Sequence, residues 1–143
     1  LDIFKGIGNR SGSQTALANI QASLGNIYNS RGEYNKALDF LFNSLEIHKK
    51  VENKLGIGNA CAQIGTVYSN QGDYKRGLQF LGRALTLHTK LGIRKGMELD
   101  YLSIGNIYIK CGEYKKALDF NKKAFKLHSS GTVHSHPKGR NRR

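Results

Sequence analysis

Apolar and polar residues along this chain follow the three- and four-residue spacing of amphipathic helices. In the first clear stretch, apolar residues recur at Ile20, Leu24, Ile27 and Tyr28. Gly32 follows directly, and glycine is a typical residue just beyond a helix C-terminus. In the second stretch one side carries Ala37, Leu38, Leu41, Leu45 and His48. The pattern therefore predicts two helices joined by a short turn.

This two-helix pattern occurs three times, with a period of 40 residues. The first helix of each unit carries an apolar residue, a glycine and, three residues later, a tyrosine: LGNIY, IGTVY and IGNIY. The turn and second helix follow as GEYNKALDF, GDYKRGLQF and GEYKKALDF. Three residues fall at one position of the repeat: His48, His88 and His128. Glycine inside a helix costs about 1 kcal/mol relative to alanine, so Gly25, Gly65 and Gly105 predict a close approach of the paired helix.

The repeated motif resembles the tetratricopeptide repeat (TPR) family over residues 16–128. The large–Gly–x–x–Tyr pattern of the first helix is present in every copy, and small residues recur in the second helix. The chain departs from the family in its period, which is usually about 34 residues, and in lacking the early tryptophan and the closing proline. The resemblance implies an all-α fold. It would be a right-handed superhelical solenoid of antiparallel helix pairs, with three TPR-like units and an N-terminal helix stub.

The repeat also predicts how the chain divides. The opening segment Leu1-Asp2-Ile3-Phe4-Lys5 is similar to Leu45-Glu46-Ile47-His48-Lys49, and Gly12 aligns with Gly56. We therefore expect the first residues to end a preceding repeat, and the chain to be part of a longer array. The predicted divisions are 1–12 (end of a preceding repeat and linker), 13–53, 54–93 and 94–128 (repeats 1 to 3), and 129–143 (a disordered basic tail).

The resemblance further implies that the first helices line a concave groove that receives an extended peptide or a helix. Counting from the glycine of each first helix gives these groove candidates: Asn19, Asn26, Asn29, Asn59, Thr66, Asn106, Leu99, Leu102 and Ile109. Asparagine can pair with both the N–H and the C=O of a bound backbone, and the leucines and isoleucine would form an apolar anchor pocket. Alternatively, the asparagines bond only across neighbouring helices.

Two further function classes follow from the basic charge of the chain and from the ends of the array. The net charge is +13, and residues 110–143 hold ten lysines and arginines against Glu113 and Asp119. A basic segment favours acidic partners, so nucleic-acid or anionic-surface binding through this quarter is one alternative, beside a merely solvated tail. A second alternative is a spacer or a self-association segment, because apolar faces at both ends of an array invite stacking.

Other chemistry finds little support in the residues. No nucleophile–base spacing indicates an enzyme, and we predict no metal and no cofactor, because one histidine per repeat places the three too far apart for shared zinc ligation. Gly6–Asn9 and Gly56–Asn59 imitate half a phosphate-binding loop and are interpreted as turns between repeats. No apolar run approaches the roughly 20 residues of a membrane span. We expect a cytoplasmic protein with a protein or peptide partner.

Overall fold

The structure, a computed structural model, describes the backbone of residues 2–135 and the side chains of residues 12–131. Within that part of the chain it consists of six α-helices and contains no strand. The helices are α1 (Asp2–Ser30), α2 (Tyr34–Lys50), α3 (Lys54–Gln71), α4 (Tyr74–Leu91), α5 (Arg94–Lys110) and α6 (Tyr114–Ser135). The predicted all-α helical repeat fold is therefore confirmed.

The helices pack as three successive hairpins. Helix α1 packs on α2, α3 on α4, and α5 on α6, while α2 contacts α3 and α4 contacts α5. The backbones of the first helices also approach one another, α1 with α3 and α3 with α5. Between the second helices α2 and α4 the contact is made by side chains, with the ring centroids of Phe42 and Phe80 5.7 Å apart. Since the first helices lie closer together, they form the inner side of the curved array.

Left-handed glycines end the first helix of each hairpin. Gly32, Gly72 and Gly112 have φ angles of 78°, 89° and 78°. Without a Cβ atom, glycine adopts this conformation at little cost. The residue after each glycine donates its backbone N–H to the tyrosine carbonyl of the helix; for Asp73 and Tyr68 the N···O distance is 2.8 Å. The turns predicted from the repeat are therefore confirmed.

Glycines within the helices allow close packing inside the hairpins. A Cβ atom added to Gly65 of α3 would lie 2.9 Å from the backbone oxygen of Gly77 in α4 and 2.8 Å from Leu81 Cγ. In the first hairpin, a Cβ on Gly25 would lie 2.7 Å from Leu41 Cγ. Such distances exclude a side chain unless the helices separate, which confirms the predicted close approach.

Two apolar clusters fill the space between the helices. Their fully buried members include Leu41 and Ile64 in one cluster, and Leu81 and Ile107 in the other. Each hairpin adds an aromatic pair at equivalent positions, with ring centroids 5.4 to 5.8 Å apart: Tyr28–Phe40, Tyr68–Phe80 and Tyr108–Phe120. Burial of this apolar surface, together with the repeated ring contacts, holds successive helices in register.

Three expectations about local structure are wrong. Helix α1 is continuous across the predicted boundary between residues 12 and 13, so no linker separates a stub from repeat 1. Gly56 and Gly58 lie inside α3 rather than in a turn. Helix α6 continues through Ser135, so residues 129–135 are helical and not a disordered tail.

The physical reason for all three differences is the same. None of these stretches contains a proline, and none of their described glycines adopts a left-handed φ, so the helical backbone has no residue that ends it. The remaining tail residues, 136–143, lie outside the described residues. No helix within the described part of the chain is long and apolar enough to cross a membrane.

Candidate functional site

The predicted groove residues lie on the three first helices, α1, α3 and α5, which form the inner side of the array. Four asparagines among them are exposed: Asn19, Asn26, Asn59 and Asn106. Asn29 and Thr66 are half-buried. The side chains of Leu99, Leu102 and Ile109 are also exposed, which is unusual for large apolar residues and marks a candidate contact surface.

The inner side holds a cavity of about 420 Å³ between α1, α2 and α3, which we call the α1–α3 cavity. It brings together three predicted residues, Asn19, Asn26 and Asn59. Its other lining residues are Thr15, Ala22, Ser23, Ser44, His48, Asn53, Leu55, Gly56, Ala60 and Gln63. No aspartate, glutamate, lysine or arginine lines it, so the cavity presents neutral hydrogen-bonding groups.

A second, smaller cavity of about 60 Å³ lies one repeat further along, between α3 and α5. It brings the predicted residues Thr66 and Asn106 together with Ser69, Asn70 and Lys110. The Lys110 ammonium donates to Ser69 Oγ at 3.4 Å. The two cavities therefore place polar side chains along successive first helices.

Three of the predicted residues, Asn29, Asn59 and Thr66, use part of their hydrogen-bonding capacity within the protein. Asn70 Nδ2 donates to Asn29 Oδ1 at 3.0 Å, which joins α3 to α1. Thr66 Oγ1 donates to the carbonyl of Ala62 in its own helix, also at 3.0 Å. The Asn29 bond is of the kind that the alternative describes, a contact across neighbouring helices, whereas the Thr66 bond stays within its own helix.

A buried network supports Asn59. Asn59 Oδ1 lies 2.9 Å from His88 Nε2, and His88 Nδ1 lies 2.5 Å from Asp100 Oδ2. His88 and Asp100 are almost fully buried, with 2% and 1% of their surface exposed. Burial raises the pKa of the Asp100 carboxyl, an effect that the hydrogen bond and charge of His88 oppose. The network fixes one end of the Asn59 amide.

His48 occupies the equivalent position one repeat earlier, but its surroundings differ. Asn53 Nδ2 donates to His48 Nδ1 at 3.3 Å, while Asn53 Oδ1 caps α3 by accepting from the backbone N–H of Gly56 at 3.1 Å. Burial lowers the pKa of His48. The ring is therefore held neutral at the floor of the α1–α3 cavity.

Comparison with known proteins shows to which family this chain of helical hairpins belongs. The tetratricopeptide repeat profile matches residues 15–90, and a second profile of the same description matches residues 101–129. The chain belongs to the tetratricopeptide repeat family. A comparison with curated protein sequences finds no match.

Two solved structures share the fold of this TPR chain. The TPR domain of Arabidopsis FLU superposes with a TM-score of 0.74 at 18% identity, covering 82% of this chain and 98% of that one. BtubC (BKLC) from P. vanneervenii gives a TM-score of 0.75 at 16% identity, covering 92% of this chain and 55% of that one. At these identities the likeness concerns the fold alone.

TPR repeats form protein–protein interaction scaffolds rather than enzymes in the usual case, and the present helices form such a scaffold. Within the described part of the chain, no three histidine, cysteine or acidic side chains are grouped as metal ligands would be. Cys61 is buried and Cys111 is exposed, and both are free thiols.

The TPR pattern alone did not indicate several residues of the α1–α3 cavity, notably Ser44, His48 and Asn53. For Ser44 and Asn53 the signal is a difference between repeats, because they align with Ala84 and Ile93, whereas His48 aligns with an identical His88. Leu99, Leu102 and Ile109 line neither of the two cavities. An anchor pocket formed by these three residues therefore stays a prediction.

Proposed function

We propose that this TPR array binds an extended peptide along its inner side, and that the asparagines of the first helices hold the peptide backbone. The observation that carries the proposal is the convergence of Asn19, Asn26 and Asn59 on one open cavity. These residues come from two different first helices, and each is exposed. Each carboxamide can donate to a backbone C=O, and those of Asn19 and Asn26 can also accept from a backbone N–H. The Asn59 oxygen is already paired with His88.

The chemistry of the surface favours a backbone rather than a charged group as the main ligand. The α1–α3 cavity has no ionisable lining residue other than His48, and only Lys110 adds a charge at the next cavity. Neutral amides and hydroxyls match the neutral, alternating donors and acceptors of an extended peptide. Exposed Leu99, Leu102 and Ile109 would add apolar contacts to its side chains at the α5 end.

The test is a selection of binders from a random peptide display library, run on the wild-type chain and on an Asn26→Ala/Asn106→Ala double variant. Both residues lie exposed on the inner side, so the variant should fold normally. We expect the selected peptides to bind the variant about tenfold or more weakly, because each lost hydrogen bond contributes about 0.5–1.5 kcal/mol. Asn43→Ala, an exposed position on α2, is the matched control and should bind like the wild type.

Peptides that bind the wild type and the double variant equally would place the contact elsewhere and contradict the proposal. A selection that returns no peptide would contradict it as well. Circular dichroism of both variants should show an unchanged helical signal, which separates a loss of binding from a loss of folding.

A second candidate function, self-association, is favoured by what the two end helices expose. Leu17, Ile20 and Ile27 of α1 are 41%, 57% and 52% exposed, although Ala60 and Val67, the equivalents of Ile20 and Ile27, are buried in α3. At the other end, Tyr114, Leu118 and Phe125 of α6 are 68%, 54% and 70% exposed. Their equivalents in α4 (Tyr74, Leu78 and Leu85) pack against the core shared with α5.

Within the array, each second helix packs against the first helix of the next repeat. The exposed face of α6 thus corresponds to the surface on which a following first helix packs, and α1 of another copy corresponds to that helix. Head-to-tail contact of two copies would repeat the internal packing. Sedimentation velocity should show a mass that rises with protein concentration and falls in an Ile27→Lys/Leu118→Lys variant, whereas Leu91→Lys, at another exposed leucine, leaves it unchanged. A wild type that stays monomeric contradicts self-association.

Nucleic-acid or anionic-surface binding by residues 110–143 stays a prediction, because residues 136–143 lie outside the described part.

A further inference from the structure

Two equivalent places in the array differ in a way that points to a ligand. The α1–α3 cavity contains Asn19, His48 and Ala60. Forty residues later the corresponding positions are Asn59, His88 and Asp100, which form the closed hydrogen-bonded network. The alanine methyl at position 60 cannot reach the ring as the Asp100 carboxyl does. The open cavity is therefore the place that a planar polar group occupies in the next repeat.

The floor of the cavity holds an unused hydrogen-bonding group. Ser44 lines the cavity with its side chain fully buried, and its Oγ atom has no hydrogen-bond partner within the protein. A buried hydroxyl without a partner is unfavourable, and it is uncommon in native structures. The next repeat has alanine at this position, Ala84, so neither the helix nor its packing requires a serine here.

The ring of His48 offers a second group of known polarity. Asn53 donates to Nδ1, so the neutral ring carries its hydrogen on Nε2 and can donate there. Burial lowers the pKa of His48, which keeps the ring neutral. No lysine or arginine lines the cavity, so a carboxylate would enter without a compensating cation. A carboxamide has the same planar shape and no charge.

We propose that the α1–α3 cavity is a subsite for a carboxamide side chain, that of asparagine or glutamine, in the bound peptide. The carboxamide oxygen accepts from His48, and its NH₂ group donates to Ser44 Oγ. This inference rests on the proposed peptide-binding function and adds its side-chain specificity. Ser44 and His48 are then specificity-determining residues, while the asparagines of the first helices hold the backbone.

The test uses three capped amino acids as probes: N-acetyl-asparaginamide, N-acetyl-aspartic acid amide and N-acetyl-leucinamide. Each is titrated into the isotope-labelled chain while the amide resonances of Gly56 and Ala60 are followed by NMR. We expect the asparagine probe to shift these resonances in a saturable manner. The aspartate and leucine probes should bind about tenfold or more weakly, the difference that one or two hydrogen bonds make.

Two variants make the assignment specific. Ala60→Asp should place a carboxyl in the cavity and should abolish the shifts by filling it. Ser44→Ala introduces the residue that the next repeat already carries and removes one partner of the probe, so it should weaken binding without unfolding α2. Asn43→Ala, at an exposed position of α2 that does not line the cavity, should bind the probe like the wild type.

Saturable shifts that are strongest with asparagine and absent in Ala60→Asp support the subsite. No shift with any probe, tighter binding of aspartate, or equal shifts in Ala60→Asp would each overturn it. The display selection separates this result from the broader function: peptides that bind without any preference for asparagine or glutamine leave groove binding intact and contradict the subsite alone. A selection without binders contradicts groove binding itself.

Discussion

His88 and Asp100 form a buried pair in which His88 Nδ1 lies 2.5 Å from Asp100 Oδ2, with at most 2% of either side chain exposed. The pair joins α4 to α5, and through Asn59 it reaches α3. Three helices thus meet at one buried polar contact. This arrangement makes Asp100 the acidic residue whose removal should disturb the array most.

We expect Asp100→Ala to lower the free energy of unfolding by about 1–3 kcal/mol, because it leaves a buried His88 nitrogen without a partner. Asp100→Asn keeps the shape and a hydrogen-bonding group and should cost less. Asp39→Ala, at an exposed site on α2, serves as the control and should stay within about 0.5 kcal/mol. Urea unfolding measures all three; an Asp100→Ala chain as stable as Asp39→Ala would show that the pair adds nothing.

The buried His48 should make the stability depend on pH. Because burial lowers its folded-state pKa below 6.5, the unfolded chain takes up a proton before the folded chain does. Its contribution to stability is complete above the unfolded pKa and is lost as the pH falls below it. Urea unfolding should therefore show that, between about pH 7.5 and about pH 5, the free energy of unfolding falls less for His48→Gln than for the wild type. Parallel pH profiles would contradict this assignment.

Two glycine-to-alanine substitutions should act in opposite directions. Gly65→Ala places a Cβ 2.9 Å from the Gly77 oxygen, and backbone cannot move aside cheaply, so we expect destabilisation of about 1–3 kcal/mol. Gly82 lies inside α4 with nothing within 4 Å of its would-be Cβ, and Gly82→Ala should stabilise by about 0.4–1 kcal/mol. Thermal melts compare them directly. If both changes raise the midpoint, helix propensity outweighs the packing conflict at Gly65, which contradicts this prediction.

The two cysteines should differ in reactivity toward an aromatic disulfide reagent. Cys111 is exposed, whereas Cys61 is buried and burial raises the pKa of its thiol. The folded chain should therefore release about one equivalent of thiolate quickly, and a second only as the structure opens in urea. Cys111→Ser should remove the fast phase and keep the slow one. Two fast phases in the wild type would show that the core around Cys61 is open.

The repeat allowed most of the fold to be predicted because local chemistry decides it. Glycine recurs after each first helix and at one position within it, and both recurrences are visible in the sequence itself. The continuity of α1 was not predicted, because Gly6, Gly8 and Gly12 suggested a break. Glycine ends a helix only when it adopts a left-handed conformation, and that choice depends on the residues around it.

The candidate site could be predicted in part. The asparagine positions followed from the repeat, and the α1–α3 cavity brings three of them together. The cavity itself depends on Ala60, a small residue where the next repeat has Asp100, and on Ser44, which lies sixteen positions earlier on another helix. A single sequence shows such differences between repeats, but only the packing shows that they fall at one place.

The pattern of helix contacts has a consequence for how the molecule comes apart. In the described residues, contacts join only helices that are adjacent or one apart in the chain, so α1 and α2 never contact α5 or α6. The stability of the array is then a sum of contributions from each repeat and from its contacts with its neighbours, rather than from one central core. Single hairpins should open without the rest, beginning at the ends, and with its low contact order the chain should fold quickly. A bound peptide that spans α1 to α5 would couple these units and make their opening cooperative.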